Sequence, residues 1–349
     1  METVLTASRT EECIAVNETV DVAAARRAAA DLTRRLAFAA EPAARLALVV
    51  TEAATNILKH AGHGEVLLRT VMGSTPAAVA VRGIEMLAID DGAGMDDAQA
   101  AMADGNSTAG TYGVGLGAIR RQSDEFDLYS WPGRGTVLRA VLWETPGVRQ
   151  DWQCGLVCLP LPGERQCGDA GWAATIDDGL LLVLADGLGH GDAAAEAADA
   201  AVQVMTDMTA ASRVLPPAEL AQRMHGALQK TRGAAVAIAG VDVQAGRVCY
   251  AGVGNIACCT SLEGQRRHLV SVNGIVGHNL RKVQQFETPW QEGMLLILHS
   301  DGLTSRWSLD AYPGLEQSHA AVIAAVLYRD FYRGRDDVSV MVLRRGEAG

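Results

Sequence analysis

The sequence predicts an α+β protein made of two successive domains. Three observations lead there: the chain is longer than one ordinary core organises, helical and strand periodicities occur in both halves, and a Thr145-Pro146-Gly147 break separates two runs of pattern. Hydrophobic residues make up 49% and aromatics only 5%, so aliphatic and alanine packing must fill both interiors.

Val22, Ala25, Ala29, Leu32 and Leu36 recur at helical spacing, with Arg26, Arg27, Arg34 and Arg35 mainly on the other faces, and predict a first amphipathic helix. Pro42 suits a first helical turn, and residues 43–61 read as a second helix closed by Gly62 and Gly64. Residues 65–72 and 77–89 read as strands, and 114–122 as a short helix. Strands 125–131 and 136–143 flank a Pro-Gly-Arg-Gly turn. Beyond the break, strands are expected at 154–159, 172–176 and 180–185, then helices at about 192–211 and 217–230. Strands resume at 234–241, 248–253, 256–261 and 294–299, before a helix near 315–329 and a last strand at 338–343. The expected domains are 1–145 and 146–349.

A formal net charge of −11 argues against broad binding to a nucleic-acid backbone. Seven Cys without regular spacing do not form a disulfide framework, and Cys154 and Cys158 lack the partners of a zinc site. Residues 1–17 do not read as a signal peptide, and nowhere do eighteen apolar residues follow one another. The expectation is a cytoplasmic protein with neither nucleic-acid nor membrane partners.

Glu52 and Asn56 stand four residues apart and project from one helix face. The amide oxygen can hold Mg²⁺ and the carboxylate can take the proton of an attacking hydroxyl. In isolation the pair reads far more readily as two polar residues on a solvated helix face. Asp90-Asp-Gly-Ala-Gly94 follows an apolar strand, placing a carboxylate beside Gly92 and Gly94, where a flat ring can approach and donate its amino group; a plain Asp-Gly turn is the bland alternative. Gly113, Gly115 and Gly117 open a helix, where free N–H groups favour phosphate. The order of these motifs, with Gly135-Thr136 on a late strand, is what raises them above chance.

The set resembles the GHKL superfamily, with its Bergerat α/β sandwich and ATP held under a mobile lid. The stretch from Tyr112 to Arg121, with Asp124 to Asp127 and Gly133 to Thr136, is most similar to the RsbT-type switch kinases and their anti-sigma-factor relatives. The resemblance implies Glu52 as base, Asn56 as Mg²⁺ ligand and Asp90 as adenine-binding acid. It makes Gly92, Gly94, Gly113, Gly115, Gly117 and Thr136 nucleotide-binding, and residues 96–112 the lid. Members phosphorylate Ser or Thr of STAS-domain partners, and some sequester a sigma factor. The second reading is therefore a nucleotide-sensing binding module that transfers no phosphate.

In the second half, Asp169, Asp186, Asp301 and Asp336-Asp337 punctuate the chain, and Asp186-Gly187 and Asp301-Gly302 each end an apolar strand. Converged carboxylates repel one another unless a cation is present, and two hard divalent ions would relieve this and activate a water. Four unrelated turns are the alternative. Together with Ala251-Gly-Val-Gly-Asn255 and Leu295 to Leu303, the loops resemble the SpoIIE/type 2C phosphatases of the RsbX kind. That resemblance implies a four-layer α-β-β-α sandwich and two Mn²⁺ or Mg²⁺ ions. The metal ligands it implies are Asp186, the Gly187 carbonyl, Asp301 and Asp336, with Asp169 in addition. Asp337 stands where many relatives carry Asn and is not assigned. Arg232 is read as a surface residue that can alternatively orient phosphate, His190 as structural, and Ser300 as lacking a triad.

Overall fold

The computed structural model describes residues 3–97, 115–177, 179–211, 215–280 and 282–346. These form two compact units that interleave along the chain. One comprises Thr10–Arg149 and Tyr312–Arg329; the other comprises Met1–Arg9, Gln150–Ala311 and Asp330–Gly349. The first strand, β1 (Thr3–Ser8), belongs to the second of these.

The first unit is built from β2 (Glu12–Val16), α1 (Thr19–Arg35), α2 (Ala40–His60), β3 (Gly64–Ser74), β4 (Ala80–Asp90), α3 (Gly115–Gln122), β5 (Glu125–Ser130) and β6 (Thr136–Trp143). Its antiparallel sheet has the order β2-β3-β4-β6-β5. Helix α1 starts where the Asp21 carboxylate accepts the backbone N–H groups of Asn17 and Glu18 at 2.9 Å each, satisfying donors that precede the first turn. Helix α2 buries Leu46, Val49, Val50, Ala53 and Ile57 against the sheet face carrying Val66, Leu68, Ile84, Met86, Leu138 and Ala140. That period-2 set fixes the register, because a slip of one residue would turn it outward. The opposite face holds a buried ionic triad: Glu85 accepts from Arg69 Nε at 2.5 Å and from Arg139 Nε at 2.6 Å.

The second unit stacks two sheets. One has the order β1-β8-β9-β10-β11-β14, with β15 added on β11; the other runs β13-β12-β16-β17-β7. Their strands are β7 (Trp152–Leu159), β8 (Asp169–Ile176), β9 (Gly179–Gly187), β10 (Ala234–Asp242), β11 (Arg247–Val253), β12 (Ala257–Leu262), β13 (Gln265–Leu269), β14 (Ser271–Val272), β15 (Phe286–Pro289), β16 (Leu295–His299) and β17 (Val338–Arg345). Between the sheets lie Trp152, Leu156, Leu182, Leu184, Tyr250, Leu296, Leu298 and Met341, while α4 (Asp192–Ala210) and α5 (Pro217–Ala227) cover Trp172, Val183 and Ile238 on the outer face of the first sheet.

Two segments depart from the linear division expected at 145/146. Strand β1 pairs antiparallel with β8 and places Leu5 in the inter-sheet core, so the chain start completes the second unit. Helix α6 (Ala320–Phe331) is buried along its apolar length, and its neighbourhood is tied to the first unit: His319 N donates to Asp127 Oδ2 at 2.7 Å, Tyr328 Oη to Glu65 Oε2 at 3.3 Å, and Arg329 Nη1 to the Asp90 carbonyl at 3.1 Å.

Candidate nucleotide and metal sites

In the first unit, α2 carries Glu52 and Asn56 half-buried, on the helical face adjoining its apolar stripe. Asn56 lies under the first residue of α3: a Cβ added to Gly115 would stand 3.1 Å from Asn56 Oδ1 and 3.3 Å from Nδ2. The Asn56 Nδ2 is buried with no hydrogen-bond partner among the described residues, an orphaned polar atom of the kind that a bound polar ligand satisfies. Arg45 fixes the other end of α3, donating to the Gln122 carbonyl at 2.9 Å and to Asp124 at 2.5 Å.

Asp90 ends β4. Its Oδ1 accepts the N–H groups of Gly92 at 2.9 Å and Thr136 at 3.1 Å, leaving Oδ2 to accept from a ligand. Burial raises its carboxyl above the ordinary range, opposed by those two donors and by the Arg329 charge. The glycines beside it have a reason that the spacing did not reveal. At Gly94, φ is +69° and a Cβ would fall 2.0 Å from the Trp131 carbonyl oxygen; at Gly135, φ is +66° and a Cβ would fall 2.0 Å from that of Asp90. Both permit the close backbone approach that holds the β5–β6 turn against the Asp90 loop. Ser130 Oγ ties this turn further, receiving Met95 N at 2.9 Å and lying 3.0 Å from Thr136 Oγ1. Gly117 is buried in α3, whereas Gly113 and residues 98–112 of the expected lid lie outside the described residues.

In the second unit, Asp169 and Asp186 are paired in register across β8 and β9, and Asp186 also neighbours Ala235 on β10. Burial, followed by the charges of Asp169, Asp301, Asp336 and Asp337, pushes the Asp186 carboxyl well above the carboxylate range. The loops thus bring these acids into one field. Among the described residues no three acidic, imidazole or thiol groups already close on a single point. Two of the acids have local partners: Asp301 Oδ2 accepts from Asn255 Nδ2 at 2.7 Å, and Asp336 Oδ1 from Asp337 N at 2.9 Å. The donor set is hard oxygen bearing excess negative charge, which suits a hard divalent ion better than any soft one.

The polar groups that support these acids have no signature in the spacing of the sequence. Ser339 Oγ donates to Asp169 Oδ2 at 2.7 Å, and the Ser300 hydroxyl bonds the same carboxylate while accepting Ser339 N at 3.0 Å. Asp169 is fully buried, and its carboxyl is pushed up to about 7 by that burial against the two hydroxyls. Ser300 is buried as well and serves this scaffold rather than acting as an exposed nucleophile. Asp337 receives Leu161 N and Gly168 N at 2.7 Å each and so clamps two loops. Gly187 cannot be larger, since a Cβ would fall 2.0 Å from the Ala194 carbonyl oxygen at the start of α4. His190 bonds Glu164 at 2.7 Å. Arg232 faces a different cavity, lined also by Leu188, Lys230 and His278.

Residues 15–142 match the family described as histidine kinase-like ATPase domain. Over 133 residues the chain is 33% identical to the serine/threonine-protein kinase RsbT of Bacillus subtilis (strain 168), covering 38% of this chain and 96% of that protein. The chain belongs to the RsbT-like histidine kinase-like ATPases. In this RsbT-like protein the kinase-type domain is joined to a phosphatase-type one: residues 176–346 match stage II sporulation protein E (SpoIIE). A stretch of 142 residues is 27% identical to the phosphoserine phosphatase RsbX of the same organism, covering 40% of this chain and 69% of RsbX. A solved structure from work on the bacterial stressosome, a modular system adapted to control secondary messenger signalling, superposes with a TM-score of 0.52 at 28% identity, covering 56% of this chain and all of that one. The chain thus joins an ATPase-type domain similar to RsbT to a SpoIIE-type domain similar to RsbX. No helix among its described residues is long and apolar enough to cross a membrane.

Proposed function

We propose that this chain phosphorylates and dephosphorylates Ser or Thr of one class of STAS-domain partner, acting as a bifunctional regulator in partner-switching stress or sigma-factor signalling. The observation that carries this reading is the presence, in one polypeptide, of the unpartnered Asn56 amide beneath Gly115 and of the mutually repelling acids Asp169, Asp186, Asp301 and Asp336.

In the kinase-type unit, Asp90 Oδ2 accepts the adenine amino group and the start of α3 receives the phosphates. Asn56 holds Mg²⁺ there, and Glu52 takes the proton of the partner's hydroxyl. The bond from the terminal phosphorus of ATP to its bridging oxygen breaks as the bond to the hydroxyl oxygen forms, and ADP leaves. In the phosphatase unit, Asp186, the Gly187 carbonyl, Asp301 and Asp336 hold two Mn²⁺ or Mg²⁺ ions, with Asp169 as a further ligand. When bound, such ions supply a nucleophilic water at neutral pH and offset phosphate charge. Ser300 and Ser339 keep Asp169 oriented, and Asn255 does the same for Asp301.

The test is to purify the full chain with a STAS-domain protein from its host and follow one Ser or Thr through both reactions. Transfer from ATP that disappears in Glu52→Ala, and metal-dependent release that disappears in Asp186→Ala, support the reading. Phosphate release without any ATP-dependent transfer would instead favour the nucleotide-sensing module.

A further inference from the structure

A cavity of about 390 Å³ opens beside two of the acids in the phosphatase unit, lined by Asp301, Gly302, Arg333, Arg335 and Asp336. Both arginines are exposed, and among the described residues neither guanidinium has a carboxylate within 4.0 Å, although two carboxylates share the cavity wall. Arg247, by contrast, pairs with Glu287 at 3.4 Å.

The loop that presents them is anchored to the metal-site turn itself. Arg333 N donates to the Gly302 carbonyl at 2.9 Å, Leu303 and Tyr332 form a β-bridge, and Tyr332 Oη donates to the Asp336 carbonyl at 3.1 Å. Gly334 lies between the two arginines with φ +65° and nothing within 4 Å of an added Cβ, so it serves backbone conformation and not packing. The loop backbone is therefore anchored so that both arginines line the same cavity as Asp301 and Asp336.

From this geometry we infer that Arg333 and Arg335 form the phosphate-binding subsite of the phosphatase, gripping the non-bridging oxygens of a phosphoserine or phosphothreonine. The inference rests on the phosphatase reading above and adds its substrate-binding residues. A phosphate dianion approaching a group of carboxylates is repelled, and two guanidinium forks supply both compensating charge and paired N–H donors matched to phosphate oxygens. During hydrolysis, water oxygen bonds to phosphorus, the bond from phosphorus to the side-chain oxygen breaks, and that oxygen takes a proton. The inorganic phosphate so formed carries the same oxygens and remains in the arginine-lined cavity until release, making it a competitive inhibitor.

The test uses the full chain with saturating Mg²⁺, a phosphoserine peptide as substrate and inorganic phosphate as probe. Arg333→Ala and Arg335→Ala each raise KM and the phosphate inhibition constant about tenfold or more, the loss expected for a charged hydrogen-bonding pair. Magnesium affinity and melting temperature stay unchanged. Arg333→Lys and Arg335→Lys recover part of the loss, since the charge returns without the fork. Broadening of the inorganic phosphate ³¹P signal by the protein, read without turnover, diminishes in the same order. If both alanine variants keep KM and phosphate inhibition within twofold while Asp301→Ala abolishes turnover, the subsite is overturned and the phosphatase reading stands. If the unaltered chain shows no metal-dependent hydrolysis, both fall.

Discussion

Asp169 and Asp186 stand opposite one another across the β8–β9 ladder, one fully buried beneath two serine hydroxyls and the other at the start of the loop leading to α4. Two acids in that relation stay close because the sheet register holds them, and Ser339 holds the orientation of the inner one. Replacing Ser339 with alanine removes a hydroxyl donor to Asp169 while leaving the ladder intact. Supporting groups of this kind commonly contribute about 10-fold to 100-fold in metal affinity. The expected result is a higher Mn²⁺ concentration for half-maximal hydrolysis, with turnover restored at saturation. A metal titration with the same midpoint as the unaltered protein would remove Ser339 from the site.

The nucleotide site gives a second prediction. Gly115→Ala places a methyl 3.1 Å from Asn56 Oδ1, so the amide must shift from the position in which the proposed function has it hold Mg²⁺. Calorimetry should show weaker Mg·ATP binding for Gly115→Ala and for Asn56→Ala. Glu52→Ala should bind ATP normally while losing transfer, because a general base contributes typically about 10² to 10⁴-fold to rate and nothing to ground-state nucleotide contact.

Interleaving of the units is tested by Leu5→Ala. A strictly linear arrangement makes residue 5 part of the kinase-type unit, yet Leu5 packs between the two phosphatase sheets with Trp152 and Leu343. Deleting a buried leucine side chain costs about 2–5 kcal/mol. The substitution should lower the melting temperature of the phosphatase activity and leave ATP affinity unaltered. The reverse pattern would place β1 wrongly.

The Glu85 triad provides a pH signature. Burial alone would raise the Glu85 carboxyl, but Arg69 and Arg139 outweigh it and hold the group below its ordinary value. A carboxyl depressed in the folded state stabilises fully above its unfolded pKa of about 4.3, and that contribution is lost as pH falls from there through the folded value. Glu85→Gln should cost up to about 3–5 kcal/mol at neutral pH, because Arg69 and Arg139 lose their shared buried carboxylate while Arg139 keeps Glu125 at 2.9 Å, and should flatten the acid limb of the stability curve. Denaturant titrations between pH 3 and 7, about that range around the unfolded carboxyl value, measure both effects. Parallel acid limbs in the two proteins would count against the triad.

What was legible in the sequence had local causes. The apolar positions 46, 49, 50, 53 and 57 of α2 mark its buried stripe, and the acids at strand ends are announced by the apolar runs before Asp90, Asp186 and Asp301. What was not legible depends on partners distant in the chain. Strand β1, Thr-Val-Leu-Thr-Ala-Ser, is a short half-polar edge whose pairing with β8 spans nearly half the sequence. The tie from Arg329 to the Asp90 carbonyl, and the convergence of Ser300 and Ser339 on Asp169, likewise have no signature in spacing. Gly94 and Gly135 were visible as glycines, but their cause is a backbone contact with the neighbouring turn.

The most direct measurement follows phosphate on a single STAS-domain serine or threonine in the presence of the full chain. With ATP labelled at the terminal phosphate and Mg²⁺, label should enter the partner; after ATP is removed and Mn²⁺ supplied, it should leave as inorganic phosphate. Glu52→Ala should block only the first step and Asp186→Ala only the second. Label that never enters the partner, or that leaves equally fast from the Asp186→Ala protein, would contradict the account.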